Sequence, residues 1–225
     1  MNRLPLAVRV DWRRAWRIVA SRFPAVGLFD RVAEPADLEA VFEIEGLTNA
    51  RIREEIGALR LIPPERRVSG PGTTPIMAAF THLNPAGSRF SDGSFGVFYA
   101  AHERDTAIDE TVYHRERFLR ESAQGPIDIQ MRAYVTKIRG RLHDIRGNWS
   151  ALHDADSYAA SQGMAIRLRR QGSNGIVHDS VRHAGGQCVA VFYPDLVAPC
   201  VQAAHYTYRW DGTRVTTILE LTQLR

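Results

Sequence analysis

The order of helical and strand patterns along this chain constrains its fold more than any single motif does. Apolar residues recur at helical spacing over 103–119 and 154–172, whereas 94–101, 131–138 and 187–193 have the short apolar runs typical of strands. These patterns do not alternate as they would in a doubly wound sheet, and no G-x-G-x-x-G motif follows a strand. The order therefore predicts an α+β fold with short strands and flanking helices.

Turn and capping signals delimit the other elements. An Asp-Gly pair lies between two strand patterns in 204–221 and predicts a C-terminal β-hairpin. Proline and glycine in 61–75 predict a loop. The acidic start of 154–172 predicts a first helical turn, and Gly172 predicts the end of that helix. Further helices are predicted at 37–47, 48–59 and 76–83, and further strands at 141–145 and 174–180.

Length and composition favour one domain that spans residues 1–225. A chain of 225 residues with 44% hydrophobic and 24% charged residues can bury a substantial core. No apolar run approaches the roughly 18 residues of a membrane span, and the start lacks the pattern of a signal peptide. We therefore expect a cytoplasmic protein with no membrane partner. Cys188 and Cys200 lack C-x-x-C spacing, so we expect reduced packing residues rather than zinc ligands.

The basic residues exclude one phosphate-binding motif and leave nucleic-acid binding open. Lys137 is the only lysine, so the G-K-[ST] sequence of a Walker A loop is absent. A net charge of +4 and a pI of about 9.4 permit contact with nucleic acid without requiring it. The basic and aromatic stretch DWRRAWR at 11–17 is the strongest candidate for such a contact. A non-enzymatic RNA-binding module is therefore an alternative from another functional class.

The stretch SRFSDGSFGVFYAA, residues 88–101, joins a polar, glycine-bearing loop to an apolar strand. The planar guanidinium of Arg89 can bind phosphate oxygens, and the neighbouring glycines allow a ligand to approach the backbone. Tyr99 at the strand end can offer its ring to a flat cationic heterocycle. Glu110, in the next helix, can face a sugar. A diphosphate, a flat cationic ring and ribose are the parts of NAD+.

Cleavage of the nicotinamide–ribose bond of NAD+ is a reaction that these groups can support. The leaving group is already a pyridinium, so it departs neutral and needs no proton. Positive charge builds on the ribose as in glycoside hydrolysis, and one carboxylate under the sugar can stabilise it. Glu110 is the candidate for that role, with Arg89 and Tyr99 as binding residues.

Four stretches of the sequence, taken in order, resemble the RES-domain proteins, the toxin halves of bacterial RES–Xre toxin–antitoxin pairs. They are WRIV at 16–19, GSRFSDGSFGVFYAA at 87–101, TAIDETVYH at 106–114 and GSNGIVHDSVRHAGG at 172–186. The resemblance covers a core of about 16–193. Arg89, Glu110 and Ser180 match the arginine, glutamate and serine for which the family is named, and Tyr99 matches the tyrosine between the first two.

The resemblance implies a fold like that of the ADP-ribosyltransferases, with Arg89, Tyr99 and Glu110 as catalytic residues and NAD+ as substrate. The residues expected to bind NAD+ are Arg89, Tyr99, Ser180, Arg17 and Ser91. The implied reaction is hydrolysis or phosphorolysis of NAD+, or transfer of ADP-ribose to a host protein. The implied partner is an Xre-type antitoxin, through which any contact with nucleic acid is expected to occur.

The chain departs from the family pattern within residues 16–90. Residues 20–86 are longer than the corresponding stretch of compact family members and include a helical insertion at about 36–84. Trp16 stands where the family commonly has tyrosine, and Phe90 stands where it commonly has tryptophan. The insertion could add a surface that recognises a target protein. Transfer of ADP-ribose to a protein therefore stays an alternative to degradation of NAD+.

Each site residue also has a purely structural interpretation. Arg89 is one of 28 arginines, because lysine and arginine together number 29 and one is lysine. Tyr99 could belong to the core, and Glu110 could be an exposed helix residue paired with His114. Ser180 could be a turn residue. Two histidines flank this serine, but the pattern offers no third ligand, so no metal is expected.

Overall fold

A long antiparallel pair of strands forms the centre of the structure. The computed structural model describes residues 4–20 and 59–222. Over these residues it contains seven strands and three α-helices, and the two longest strands, β1 and β3, pair along nearly the whole length of β1. In chain order the elements are β1 (Ala7–Ala20), α1 (Thr74–Thr81), β2 (Phe98–Ala101), α2 (Arg104–Glu121), β3 (Ile127–Asp144), α3 (Ala159–Arg170), β4 (Gly175–Asp179), β5 (Gln187–Val191), β6 (Val201–Trp210) and β7 (Val215–Leu221).

The strands form one mixed sheet in the order β1-β2-β5-β4-β3-β6-β7. Because β1 also pairs with β3, the pairings return to β1 and close five strands into a ring. Strand β4 runs parallel to β3, and the other pairings are antiparallel. Predominantly antiparallel pairing without βαβ alternation confirms the predicted α+β class.

The two longer helices differ in how well their ends follow the sequence pattern. Helix α2 matches its prediction closely. Helix α3 begins at Ala159, so the predicted acidic first turn is wrong. The Asp154 carboxylate instead accepts hydrogen bonds from the backbone N–H groups of Asp156 and Ser157, both at 2.8 Å, and forms a turn before the helix. Gly172, with a φ of +76°, follows the helix as predicted.

Strand β3 is continuous where the sequence predicts two strands, at 131–138 and 141–145. Gly140 interrupts the strand pattern of the sequence, but it pairs with Val10 of β1 in the ladder. A Cβ at position 140 would lie 2.8 Å from the Cδ2 of Leu196, so the glycine leaves room for that side chain. Pairing across the long ladder therefore overrides the local preference of glycine for a break.

The remaining strand predictions are largely confirmed. Strands β4 and β5 lie at the predicted positions, and β6 and β7 form the C-terminal hairpin. In its turn, Gly212 has a φ of +103°, a backbone conformation that favours glycine. Strand β2 is shorter than predicted, because the first four residues of 94–101 lie before it.

Three apolar clusters pack the helices against the sheet. Helix α1 covers the first, α3 covers the second and α2 covers the third. Representative members are Phe80 and Phe98 in the first cluster, Phe90 and Phe192 in the second, and Ala107 and Met131 in the third. The third cluster holds the N-terminal half of α2 beside β1 and β3.

The helix predicted at 76–83 is confirmed as α1, within the last part of the expected insertion at 36–84. The helix predicted at 37–47 lies outside the described residues, as does all but the end of the helix predicted at 48–59. Within residues 4–20 and 59–222, no helix is both long and apolar enough to cross a membrane.

The close approach of Gly96 to α1 leads to a stability prediction. A Cβ at position 96 would lie 2.3 Å from the Cα of Phe80 and 2.5 Å from the carbonyl oxygen of Ala79. Because both are backbone atoms, Gly96→Ala should lower the free energy of unfolding by about 1–3 kcal/mol. Gly163→Ala, in the open interior of α3, should raise it by about 0.5–1 kcal/mol. Urea unfolding measures both changes. If Gly96→Ala and Gly163→Ala changed the free energy of unfolding equally, the close approach of Gly96 to α1 would not explain the result.

Candidate functional site

A cavity of about 510 Å³ lies between β1, β2, α2 and the loop that precedes β2. Its walls include four of the residues singled out in the sequence, Arg17, Arg89, Tyr99 and Glu110. These residues come from two strands, a loop and a helix, so the fold brings together side chains that are distant in the chain. Its volume lies in the range of typical small-ligand sites.

Glu110 is held by a short hydrogen bond from Ser180. The Ser180 hydroxyl donates to Oε1 of Glu110 at 2.6 Å. The same hydroxyl oxygen accepts backbone N–H groups from Arg182 at 3.1 Å and His183 at 3.0 Å. With its lone pairs engaged in this way, the hydroxyl is directed toward the carboxylate. Ser180 is not on the cavity wall itself, so its contact with the site runs through Glu110.

Arg89 is a buried cation at the cavity wall, with 8% of its surface exposed. Its Nη1 donates to the carbonyl oxygen of Asp154 at 2.7 Å, and its guanidinium lies 4.6 Å from the ring centroid of Tyr158. Among the described residues, no carboxylate lies within ion-pair distance of it. A buried guanidinium without a carboxylate partner is suited to an anionic ligand.

Tyr99 holds the loop that carries Arg89. Its hydroxyl shares a hydrogen bond of 2.8 Å with the Ser88 hydroxyl and accepts the backbone N–H of Phe90 at 2.9 Å. Burial raises the pKa of the Tyr99 hydroxyl to about 12, although these hydrogen bonds act in the opposite direction. Tyr99 therefore stays neutral and combines loop anchoring with a ring at the cavity wall.

Arg17 supplies a second, half-buried guanidinium from β1. Its Nη1 donates to the backbone oxygen of Tyr99 at 3.0 Å, and its guanidinium lies 4.6 Å from the ring centroid of Phe98. Its Nε is buried and has no hydrogen-bond partner among the described residues. Burial lowers the pKa of the Arg17 guanidinium from its ordinary value.

The Ser91 side chain is engaged in hydrogen bonds within its own loop. It is 3% exposed, and its hydroxyl donates to the carbonyl oxygen of Phe95 at 2.6 Å and accepts the backbone N–H of Gly93 at 3.1 Å. It is not among the residues of the cavity wall. The structure thus places Ser91 inside the loop that carries Arg89, behind the surface that faces the cavity.

His178, one of the two histidines that flank Ser180 in the sequence, lines the cavity. It is 4% exposed, and its Nδ1–H donates to the backbone oxygen of Asp179 at 2.9 Å. Burial lowers its pKa to about 4, against the opposing effect of Glu110. The other flanking histidine, His183, pairs with Asp109 at 2.6 Å. The described residues contain no group of three potential ligands that could hold a metal. The position of His178 in the apolar run GIVHD was the sequence signal that indicated its burial.

The basic and aromatic stretch at 11–17 is divided by its strand. Trp16 and Arg17 line the cavity, whereas Arg13 and Arg14 are exposed. Trp12 packs against the core instead. The stretch therefore does not present one continuous basic and aromatic surface of the kind expected for stacking and backbone contacts with single-stranded RNA.

The chain belongs to the RES-domain family. The family model for the RES domain matches residues 64–211, about two thirds of the chain, and this match confirms the resemblance predicted from the motifs. The matched range contains Arg89, Tyr99, Glu110 and Ser180, whereas Arg17 lies before it.

The chain is also similar to individual proteins, in sequence and in structure. The uncharacterized protein y4oC of Sinorhizobium fredii (strain NBRC 101917 / NGR234) is 29% identical over 205 residues, which cover 90% of this chain and 85% of that protein. The crystal structure of the M. tuberculosis MbcT–MbcA toxin–antitoxin complex is similar with a TM-score of 0.46 and 10% identity, over 96% of this chain and 87% of that chain.

The buried position of His178 predicts a pH dependence of stability. Because its folded-state pKa of about 4 is below the usual 6.5, the unfolded chain binds more protons between these values. The contribution of His178 to the free energy of unfolding is therefore complete above about pH 6.5 and decreases as the pH falls toward about 4. Urea unfolding across this range should show a weaker pH dependence for His178→Asn. An imidazole that titrates near 6.5 by NMR would contradict the prediction.

Proposed function

We propose that this protein is the toxin of a toxin–antitoxin pair and that it cleaves the nicotinamide–ribose bond of NAD+. The observation that carries the proposal is the shared cavity, where an oriented carboxylate, Glu110, and a buried cation without a carboxylate partner, Arg89, line the same walls. Membership of the RES-domain family supports the same assignment. An Xre-type antitoxin is the proposed partner.

Glu110 stabilises the positive charge that develops on the ribose. As the bond to nicotinamide breaks, both bonding electrons leave with the neutral nicotinamide, and the ribose becomes oxocarbenium-like. A fixed carboxylate beside this centre stabilises the charge without having to reorganise at that moment. The hydrogen bond from Ser180 supplies the fixed orientation.

The cations of the site bind the diphosphate. Arg89 has only its Nη1 engaged with described backbone carbonyls, so its other nitrogens are available to phosphate oxygens. Arg17, on the neighbouring β1, adds a second guanidinium to the cavity wall. The ring of Tyr99 packs against nicotinamide, and Ser91 keeps the loop of Arg89 in shape.

The neutral form of His178 suits the same chemistry. An imidazolium beside the ribose would oppose the positive charge of the oxocarbenium-like state. Burial keeps the pKa of His178 at about 4, so the ring is uncharged at neutral pH. His178 then contributes shape and polarity to the wall without electrostatic cost to the reaction.

The proposed acceptor is water or inorganic phosphate, which makes the enzyme an NAD+ glycohydrolase or phosphorylase. The alternative acceptor is a side chain of a host protein, which would make it a mono-ADP-ribosyltransferase. All three reactions share the cleavage step at the nicotinamide–ribose bond and the same need for Glu110. They differ only in the nucleophile that attacks the ribose afterwards.

The first prediction from this proposal concerns Glu110. Glu110→Gln keeps the side-chain size and removes the charge, so nicotinamide release from NAD+ should fall about a hundredfold to a thousandfold. Glu103→Gln, at the exposed start of α2, should retain full activity. Nicotinamide release by the purified protein, followed by chromatography, measures both. Equal activity of wild type and Glu110→Gln would contradict the role of Glu110.

NAD+ labelled in its adenylate part identifies the acceptor in the same assay. A small labelled product formed without phosphate indicates hydrolysis, and a phosphate-dependent product indicates phosphorolysis. Label on one protein band of a cell lysate indicates an ADP-ribosyltransferase. If no nicotinamide is released under any condition, the proposal fails, and the RNA-binding alternative should then show salt-sensitive binding that survives Glu110→Ala.

The second prediction concerns Arg89. Hydrogen bonds to a charged group contribute roughly 1.5–3 kcal/mol, so Arg89→Gln should raise the KM for NAD+ about tenfold to a hundredfold. Arg170→Gln, at the exposed end of α3, should leave KM unchanged. Steady-state kinetics measure KM, and thermal unfolding checks that Arg89→Gln remains folded. A folded variant with normal KM would contradict diphosphate binding by Arg89.

A further inference from the structure

The loop at residues 180–186 lies along one face of α2 and is called here the Ser180 loop. It contacts the helix at positions 106, 109, 110 and 113, which share a face because they are three or four residues apart. At one end, a Cβ on Gly186 would lie 2.5 Å from the Oγ1 of Thr106, so the backbone of the loop closely approaches the Thr106 side chain there. At the other end, the guanidinium of Arg182 lies 3.3 Å from the ring centroid of Tyr113.

Two hydrogen bonds to adjacent acidic residues lie between these ends. Ser180 donates to Glu110 at 2.6 Å, and the Nδ1 of His183 lies 2.6 Å from Oδ2 of Asp109. Because an ionised carboxylate can only accept, Nδ1 carries the proton in this bond. The Asp109–His183 bond therefore joins α2 to the Ser180 loop one residue away from the carboxylate assigned to catalysis.

The geometry connects this pair to Glu110 through the backbone of the loop. The backbone N–H groups of Arg182 and His183 are donated to the Ser180 hydroxyl oxygen. They determine the direction in which this hydroxyl can donate its own proton. A shift of the His183 backbone would therefore rotate the hydroxyl away from Glu110.

The solvent exposure of the pair argues against a role in global stability. The side chains are 35% exposed for His183 and 47% exposed for Asp109. Exposed ion pairs contribute little to the free energy of unfolding. The contribution of this pair is therefore local, to the conformation of the Ser180 loop.

We propose that Asp109 and His183 are positioning residues for Glu110, which they orient through the Ser180 loop. This inference rests on the proposed function only in assigning catalysis to Glu110. Neither residue touches the substrate in this assignment, and neither lies on the cavity wall. Loss of the pair should leave the substrate-binding residues in place and disturb the orientation of the carboxylate.

The kinetic test uses Asp109→Ala, His183→Ala and the double variant. Each single change should lower the kcat for nicotinamide release about tenfold to a hundredfold, because a small misplacement of a catalytic group has that effect. KM for NAD+ should stay close to the wild-type value. The double variant should lose no more than either single variant, because the two residues act as one unit. His183→Gln, which keeps an N–H donor, should recover part of the loss.

The matched control is Asp128→Ala, which removes a comparable exposed pair with Arg209, 3.2 Å apart, on β3 and β6. It should leave kcat and KM unchanged. Unchanged kcat in Asp109→Ala, or additive losses in the double variant, would overturn the proposal. A fall in the thermal unfolding temperature of Asp109→Ala beyond that of Asp128→Ala would also overturn it, since it would show a global structural role.

Hydrogen exchange tests the positioning independently of any activity. The backbone N–H of Ser180 donates to the carbonyl oxygen of Gly186 at 2.8 Å, and the backbone N–H of Gly186 donates to the carbonyl oxygen of His183 at 3.0 Å. These amides should exchange faster in Asp109→Ala than in wild type and in Asp128→Ala, whereas unchanged exchange overturns the proposal. If wild type releases no nicotinamide, the proposed function fails, and the exchange result alone decides whether the pair orders the loop.

Discussion

The pairing of β1 with β3 is the constraint on which the rest of the structure depends. It joins residues 7–20 to 131–143 in one antiparallel ladder. Because β1 also pairs with β2, the ladder places Arg17 beside the backbone of Tyr99. Helix α2 packs on β1 and β3 through the apolar cluster that contains Ala107, and this packing places Glu110 at the same cavity. The site is therefore a consequence of sheet closure.

Buried charge is the energetic peculiarity of this site. Arg89 is buried and Arg17 is half-buried, and the partners of both guanidinium groups among the described residues are backbone carbonyls and aromatic rings. Such partners only partly offset the loss of hydration. In the proposed function, the diphosphate of the substrate would supply a negative charge beside these guanidinium groups. His178, which can lose its proton, responds to the same environment by staying neutral.

Most elements could be predicted from the sequence, and each error has a physical cause that the structure shows. Helix α2 and the hairpin of β6 and β7 follow from strong periodicity and a turn signal. The predicted start of α3 was wrong because the Asp154 carboxylate accepts hydrogen bonds from nearby backbone N–H groups and forms a turn there. The break expected at Gly140 is absent because long-range pairing with β1 outweighs local propensity. At the candidate site, the motifs singled out Arg89, Tyr99 and Glu110, which line the cavity, and Ser180, which donates to Glu110, but they did not indicate the cavity position of His178.

The sequence by itself determined the class of fold, the RES-domain family and the residue types available for the chemistry, because periodicity, turn residues and motif order are local properties of the chain. Only the tertiary structure decided which of these residues meet. The tertiary structure brings the Ser180 hydroxyl to Glu110, 70 positions away in sequence, and places the Ser91 hydroxyl in a hydrogen bond within its own loop. It also buries His178, and burial lowers the pKa of this side chain to about 4. Hydrogen-bond direction and desolvation depend on neighbours that are distant in the chain, so no local pattern can encode them.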